Sequence, residues 1–235
     1  MGARDFNAMM KDPVARSYYM KQQIEMHKKY CKDNPDSLMP LFLQELWYLG
    51  FDFEIPEQAL RYLPKNKKAI LPVAIKYYQI AKGNGKDNEQ DFFLGFFRFK
   101  GFDEVLPMLL EDYYDDMTTD LTRWFISDTI YTIRSKKYIN EYIKMISNQR
   151  FGRNRQIIVL LLGRFKEESA IPVLIQLLED KDVRLHAISA LGDFKREEYR
   201  PCFERFKDSK HPGWRKYARA AIKKLDTHAA RQGQE

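Results

Sequence analysis

Residues Ile171 to Lys195 read IPVLIQLLEDKDVRLHAISALGDFK, and this stretch decides the fold. Pro172 suits the first turn of a helix, where its missing N–H costs nothing. Val173, Leu174, Leu177 and Leu178 follow at helical spacing and give one apolar face. Glu179-Asp180-Lys181-Asp182 is a polar turn. Val183, Ala187, Ala190, Leu191 and Phe194 then mark the buried stripe of a second helix. Ala187 and Ala190 are small, so a neighbouring backbone can approach closely. The stretch predicts two short antiparallel helices.

Working outward, a period appears. Pro40, Pro72, Pro107, Asn140, Pro172 and Pro201 each begin an apolar helical run, at spacings of 32, 35, 33, 32 and 29 residues. A second register agrees with it: Arg123, Arg155, Arg184 and Arg215 recur at 32, 29 and 31 residues, and ten residues after each comes Ile133, Phe165, Phe194 or Leu225. One unit further back, Glu89 takes the arginine position and Phe99 the apolar one. Units of 30 to 35 residues that cannot bury an apolar face alone are the mark of a helix-pair solenoid. No alternation of period two competes.

Asp182-Val183-Arg184, Ala187 and Ala190-Leu191-Gly192 resemble the HEAT-repeat family, in the variety also seen in the phycobilisome-lyase type. The resemblance implies an all-α, right-handed α-solenoid of about six HEAT-like helix pairs. Residues 1–39 read as an N-terminal capping helix, started by Asp12-Pro13, residues 40–226 as the solenoid, and residues 227–235 as a disordered tail. The first repeat is weak, since Pro64 cuts off the short run from Pro56 to Leu63.

Composition limits the function classes. The chain has 235 residues, 44% hydrophobic and 31% charged, which excludes a disordered polypeptide. Cys31 and Cys202 stand far apart without a metal-ligand spacing, so reduced thiols and a cytoplasmic location are expected. No apolar run reaches membrane length, and the N-terminus lacks the apolar core of a signal peptide. Met1-Gly2 begins a myristoylation-like motif, but Phe6 stands where it wants Ser or Thr. The histidines are scattered, Gly83-Asn84-Gly85-Lys86 lacks the P-loop frame, and no nucleophile or metal motif occurs. Nothing here argues for an enzyme, a cofactor or a metal.

The candidate site is therefore a binding surface. In the second-helix register Trp124 lies outside the buried stripe of Ile126, Ile130 and Ile133. Asp128 lies four residues on, so the two share a face, with Tyr131 nearby. These three, with Gln156 and Arg164, are expected on the concave surface and fit a protein partner. The alternative partner is nucleic acid. The net charge is +7, and Arg215, Arg219 and Lys223 share one face of the last helix, with Lys216 and Lys224 beside them. Trp124 and Asp128 with Arg155 also resemble the cleft of the HEAT-like alkylpurine DNA glycosylases, where such a set holds a cationic lesion against phosphate. The arginine column reads as a ladder to turn acids such as Asp120, Asp180, Asp182 and Asp208. In the rival reading it is a stripe offered to phosphates. The acidic run Glu111 to Asp116 reads as a solvated turn, without the ligand spacing of a calcium loop.

Overall fold

The helical runs and caps of the sequence reappear in a computed structural model that describes residues 11–232. The expectations placed on residues 1–10, including the myristoylation-like motif, and on residues 233–235 lie outside the described residues. The chain is all-α. Among the described residues there are 13 α-helices and no strand. The 13 helices divide into one leading helix and six pairs. The leading helix is α1 (Pro13–Asp33), and the pairs begin with α2 (Met39–Tyr48) and α3 (Pro56–Tyr62), then α4 (Lys67–Gly83) and α5 (Asp87–Leu94). Next come α6 (Leu106–Tyr114) and α7 (Asp120–Ile133), then α8 (Ile139–Ser147) and α9 (Gln156–Phe165). The last pairs are α10 (Ile171–Gln176) and α11 (Arg184–Phe194), then α12 (Arg200–Glu204) and α13 (Pro212–Gln232).

The starts follow local chemistry. Asp12 caps α1 by accepting the N–H of Val14 at 2.8 Å. Pro40, Pro107, Pro172 and Pro201 each stand in the first turn of a helix, where the missing donor is harmless. Pro72 departs from this pattern: α4 already begins at Lys67 and carries Pro72 inside it. Thr119 caps α7 through the N–H of Thr122 at 3.1 Å.

The chain forms two compact units, Met1–Phe97 and Arg98–Glu235. The first holds an aromatic core. Phe42 meets Tyr77, Phe93 and Phe96 edge-on at ring separations of 5.2 to 5.6 Å. Its carboxylate Glu89 is buried, accepting the Ser37 hydroxyl at 2.6 Å and the Leu38 N–H at 3.1 Å. At the register position where later repeats carry an arginine, Glu89 thus caps the N-terminal end of α2.

The second unit is two layers of helices. Helices α7, α9, α11 and α13 stack in sequence as one layer, and α9, α11 and α13 approach most closely. The close approach comes from missing side chains: a Cβ on Gly163 of α9 would fall 2.4 Å from the Cα of Ala190 on α11, and one on Gly192 would fall 3.0 Å from the Cβ of Ala221. The same register position on α7 is Tyr131, and α7 and α9 stand correspondingly less close. The apolar residues Ile126, Ile130, Ile158, Leu161, Leu162, Ala187, Ile188 and Leu191 are fully buried between the layers.

One boundary differs from the sequence reading. Helix α13 continues through Gln232, so residues 227–232 extend it. Ala229, Ala230 and Arg231 are good helix formers, and no breaker precedes Gly233.

Candidate functional site

Helix α7 presents one open face. Leu121 is 58% exposed and Trp124 41%, an unusual state for a tryptophan in a packed layer, while Ile126 and Ile130 on the other side are sealed. Met117, in the turn before α7, is also exposed. Trp124 leans edge-on against Phe125 at 5.3 Å. Asp128 lies one turn further along and is held in an ion pair by Arg98. Tyr131 follows, two turns from Trp124, and receives two guanidiniums: Arg164 of α9 at 4.8 Å from its ring centre and Arg134 at 5.9 Å. Trp124, Asp128, Tyr131 and Arg164 are thus brought together as one strip. Arg98 belongs to it but was not foreseen, because it lies 30 residues before Asp128 in a connector with no helical register.

Gln156 stands at the start of α9 and donates its side-chain amide to the Asp182 carbonyl at 2.6 Å, tying α9 to the turn before α11. Of the basic set on α13, Arg215 donates to the Ser209 carbonyl at 2.7 Å. Arg219 reaches the Lys207 carbonyl at 2.8 Å and the Asp208 carboxylate at 3.0 Å. Lys224 pairs with Asp193 at 2.6 Å. Lys223 is exposed and makes no ion pair among the described residues.

The arginine column is spent inside the fold, though not on the partners expected of it. Each arginine reaches back to carbonyls at the end of the preceding first-layer helix or in the turn that follows it, where they have no intrahelical donor. Arg123 donates to the carbonyls of Tyr113 at 2.9 Å and Asp115 at 3.0 Å, and Arg155 to those of Gly152 and Ile146 at 2.9 and 3.1 Å. Arg184 donates to Leu178 at 2.5 Å and Glu179 at 3.0 Å, and its guanidinium lies 4.2 Å from the centre of the Trp214 ring. Arg123 also meets the Asp120 of its own helix at 3.1 Å, and Arg155 bridges to Asp180 of the next repeat at 2.6 Å. The acid ladder is therefore partial, and for Arg184 backbone oxygens and an indole ring replace the expected Asp180 or Asp182. Arg155 is 1% exposed. It offers nothing to a phosphate, and of the glycosylase-like set Arg155 is tied to Asp180 and Asp128 to Arg98.

The acidic run ends in contacts of the same structural kind. Asp115 accepts the Met117 N–H at 2.9 Å, and Asp116 pairs with Arg150 at 3.1 Å. In the first unit, His27 and Cys31, four apart on α1, lie with Nε2 and Sγ 3.5 Å from each other. The i, i+4 spacing on one helix is what brings them together. Burial raises the Cys31 thiol above its usual value and lowers the His27 imidazole. The pair is held neutral, the opposite of a thiolate nucleophile with an imidazolium partner. Among the described residues no group of three or more His, Cys, Asp or Glu is arranged to hold a metal, and no helix is long and apolar enough to cross a membrane.

Residues 139–226, which span α8 to most of α13, match the family model of HEAT repeats. No curated protein matches the chain. No solved structure matches it either.

Proposed function

We propose that the second unit is a non-catalytic binding scaffold, and that the open face of its second-helix layer docks a segment of a protein partner. Trp124 anchors the contact, with Asp128, Tyr131 and Arg164 along the same strip, Gln156 on the adjacent α9, and Arg215, Arg219 and Lys223 further along the layer on α13. HEAT repeats commonly serve as protein-interaction scaffolds, which supports the class of function. The observation that carries the reading is the exposure of Trp124, at 41%, beside Leu121 on a helix whose other side is fully buried. An indole offers a large rigid apolar contact at little entropic cost, and such residues dominate interface energetics. A cytoplasmic location fits this role. Of the three features behind the nucleic-acid alternative, the net charge, the basic face of α13 and the arginine column, the column is consumed by carbonyls, and that alternative is not favoured.

The test is site-specific photo-crosslinking from position 124 in cells, followed by titration of the captured partner against the wild type and Trp124→Ala. A loss of roughly 2 kcal/mol or more in binding, with an unchanged circular dichroism spectrum, is expected. Equal affinity of the two proteins refutes the docking face. Unfolding of Trp124→Ala shows instead that the indole belongs to the core.

A further inference from the structure

The C-terminal ends of α7 and α9 gather cations that the fold does not neutralise. Arg134 and Lys166 are the C-cap residues of the two helices, Arg164 lies in the last turn of α9, and Lys136 follows α7. Among the described residues none of the four makes an ion pair. Three of them are fixed on aromatic rings instead: Arg134 and Arg164 share Tyr131, and Lys136 lies 5.3 Å from the ring centre of Phe165. Next to Arg134 and Lys136 a shallow cleft of about 490 Å³ adds Lys100 and Lys137.

Two of the nearby acids are neutralised and one is not. Asp103 pairs with Lys137 at 2.9 Å and Glu168 pairs with Arg196, whereas Glu167 accepts only the Ser169 hydroxyl at 2.7 Å and keeps its charge. Two helix C-termini contribute about half a negative charge each and Glu167 one more, which still leaves the four unpaired cations about two charges in excess. Arg134 and Lys166 also hold left-handed backbone, at φ 58° and 51°, where glycine is the undemanding choice. A cation thus stands at each position although its backbone is disfavoured there.

We infer that this cluster is the seat for an acidic stretch of the partner, so that α7 reads an amphipathic protein segment from end to end. The inference rests on the proposed docking face and adds its polarity: apolar side chains against Leu121 and Trp124, carboxylates on Arg134, Lys136, Arg164 and Lys166. Helix α7 rises about 1.5 Å per residue, which sets the apolar and the cationic ends of the strip ~15 to 20 Å apart. A protein segment is favoured over nucleic acid because Met117 and Leu121, the most exposed apolar residues of the strip, are aliphatic. They suit apolar side chains, and Trp124 alone is an exposed ring of the strip, where a run of bases calls for successive stacking platforms.

Fluorescence anisotropy with three labelled probes tests this. The first is a peptide of eight glutamates. The second is an amphipathic helical peptide with glutamates in its first turns and leucines two to three turns later. The third is a single-stranded dT12. The proteins are the wild type, Trp124→Ala and the triple variant Arg134→Asn, Arg164→Gln, Lys166→Asn, in which asparagine tolerates the left-handed backbone. At about 50 mM salt, where exposed charges are weakly screened, the wild type binds the glutamate peptide. The triple variant binds it about ten-fold more weakly with its circular dichroism unchanged, and Trp124→Ala binds it as the wild type does. The amphipathic peptide is weakened by both changes. The cationic seat is overturned if the wild type fails to bind the glutamate peptide, or if the triple variant binds it equally well. It is also overturned if dT12 binds more tightly than either peptide and is lost in the triple variant. If only the effect of Trp124→Ala on the amphipathic peptide is missing, the docking face fails while the seat stands.

Discussion

Gly163 and Ala190 are in backbone contact: a Cβ added to Gly163 would lie 2.4 Å from the Ala190 Cα and 2.5 Å from its Cβ. Neither atom can move aside without shifting a helix. Gly163→Ala gains helix propensity of about 1 kcal/mol, but the clash must separate α9 from α11 and strip contact from a sealed seam. Overpacking costs ~1 to 3 kcal/mol and more where backbone must move, so a net loss of about 2 kcal/mol or more is expected. Gly192→Ala meets the Ala221 Cβ at 3.0 Å and its Cα at 3.4 Å, a much looser approach. There the propensity gain and a small repacking cost nearly cancel, and the change should be within about 1 kcal/mol of neutral. Urea denaturation of both variants checks the ranking. Equal costs would show that the contact at Gly163 does not set the helix spacing.

The arginine column separates into unequal members. Arg155 is 1% exposed and holds two carbonyls and the Asp180 carboxylate. Its removal leaves a partly buried acid and two buried carbonyls unpaired, and Arg155→Ala should cost about 3 to 5 kcal/mol. Arg184 is half-buried and serves two carbonyls and the Trp214 ring. No acid is orphaned by its loss, so Arg184→Ala should cost about 1 to 2 kcal/mol. Lysine at either position recovers only part of the loss, since an ammonium cannot span two carbonyls and lie flat on an indole. Thermal unfolding of the four variants checks this, and an unchanged melting temperature in Arg155→Ala would refute the staple.

These contacts mark how far the sequence was legible. Repeat starts were readable because proline tolerates the first helical turn, and each of Pro40, Pro107, Pro172 and Pro201 proved to stand there. The arginine column was readable as a column, but its partners were not, because free carbonyls leave no trace in residue identities. Helix α10 spans only Ile171–Gln176, and a 3-10 turn follows it; that early end frees the Leu178 and Glu179 oxygens for Arg184. The common face of Trp124, Asp128 and Tyr131 on α7 was readable from helical spacing alone. Arg98 was not, since ion pairs between a connector and a helix follow no period. Glu89 looked like an exception to the column and turned out to invert it, accepting from a helix start where the arginines donate to helix ends.

His186 gives the fold a pH dependence on the acid side. It lies on α11 with its Nδ1 buried and unpartnered, and burial lowers its pKa below the usual 6.5. In the unfolded chain the imidazole takes up a proton as pH falls through about 6.5, while the folded state resists it. Its contribution is therefore fully present above that value, declines below it, and is lost once pH falls through the lowered folded value. Denaturation of the wild type should lose stability between pH 7 and pH 5 more steeply than His186→Gln, which carries no proton to take up. Parallel curves for the two proteins would show that the imidazole stays in contact with water.

Three second-layer helices end on a basic residue in left-handed backbone: Arg134, Lys166 and Lys195, at φ 58°, 51° and 56°. A side chain with a Cβ costs about 1 to 2 kcal/mol there, and a cation at a helix C-terminus returns about 0.3 to 1 kcal/mol. Alanine keeps the strain and loses the cation. Glycine loses both, at an entropic cost of about 0.5 to 1 kcal/mol in the unfolded state. At each position the glycine variant should therefore be more stable than the alanine variant by about 1 kcal/mol, and close to the wild type. Stability treats the three sites alike, whereas binding should not. Arg134→Gly and Lys166→Gly should weaken the glutamate peptide several-fold, and Lys195→Gly, at the end of α11, should leave it within two-fold. If all three variants lose the peptide equally, the attraction comes from the net charge of the unit. The retained strain at Arg134 and Lys166 would then serve the helix ends alone.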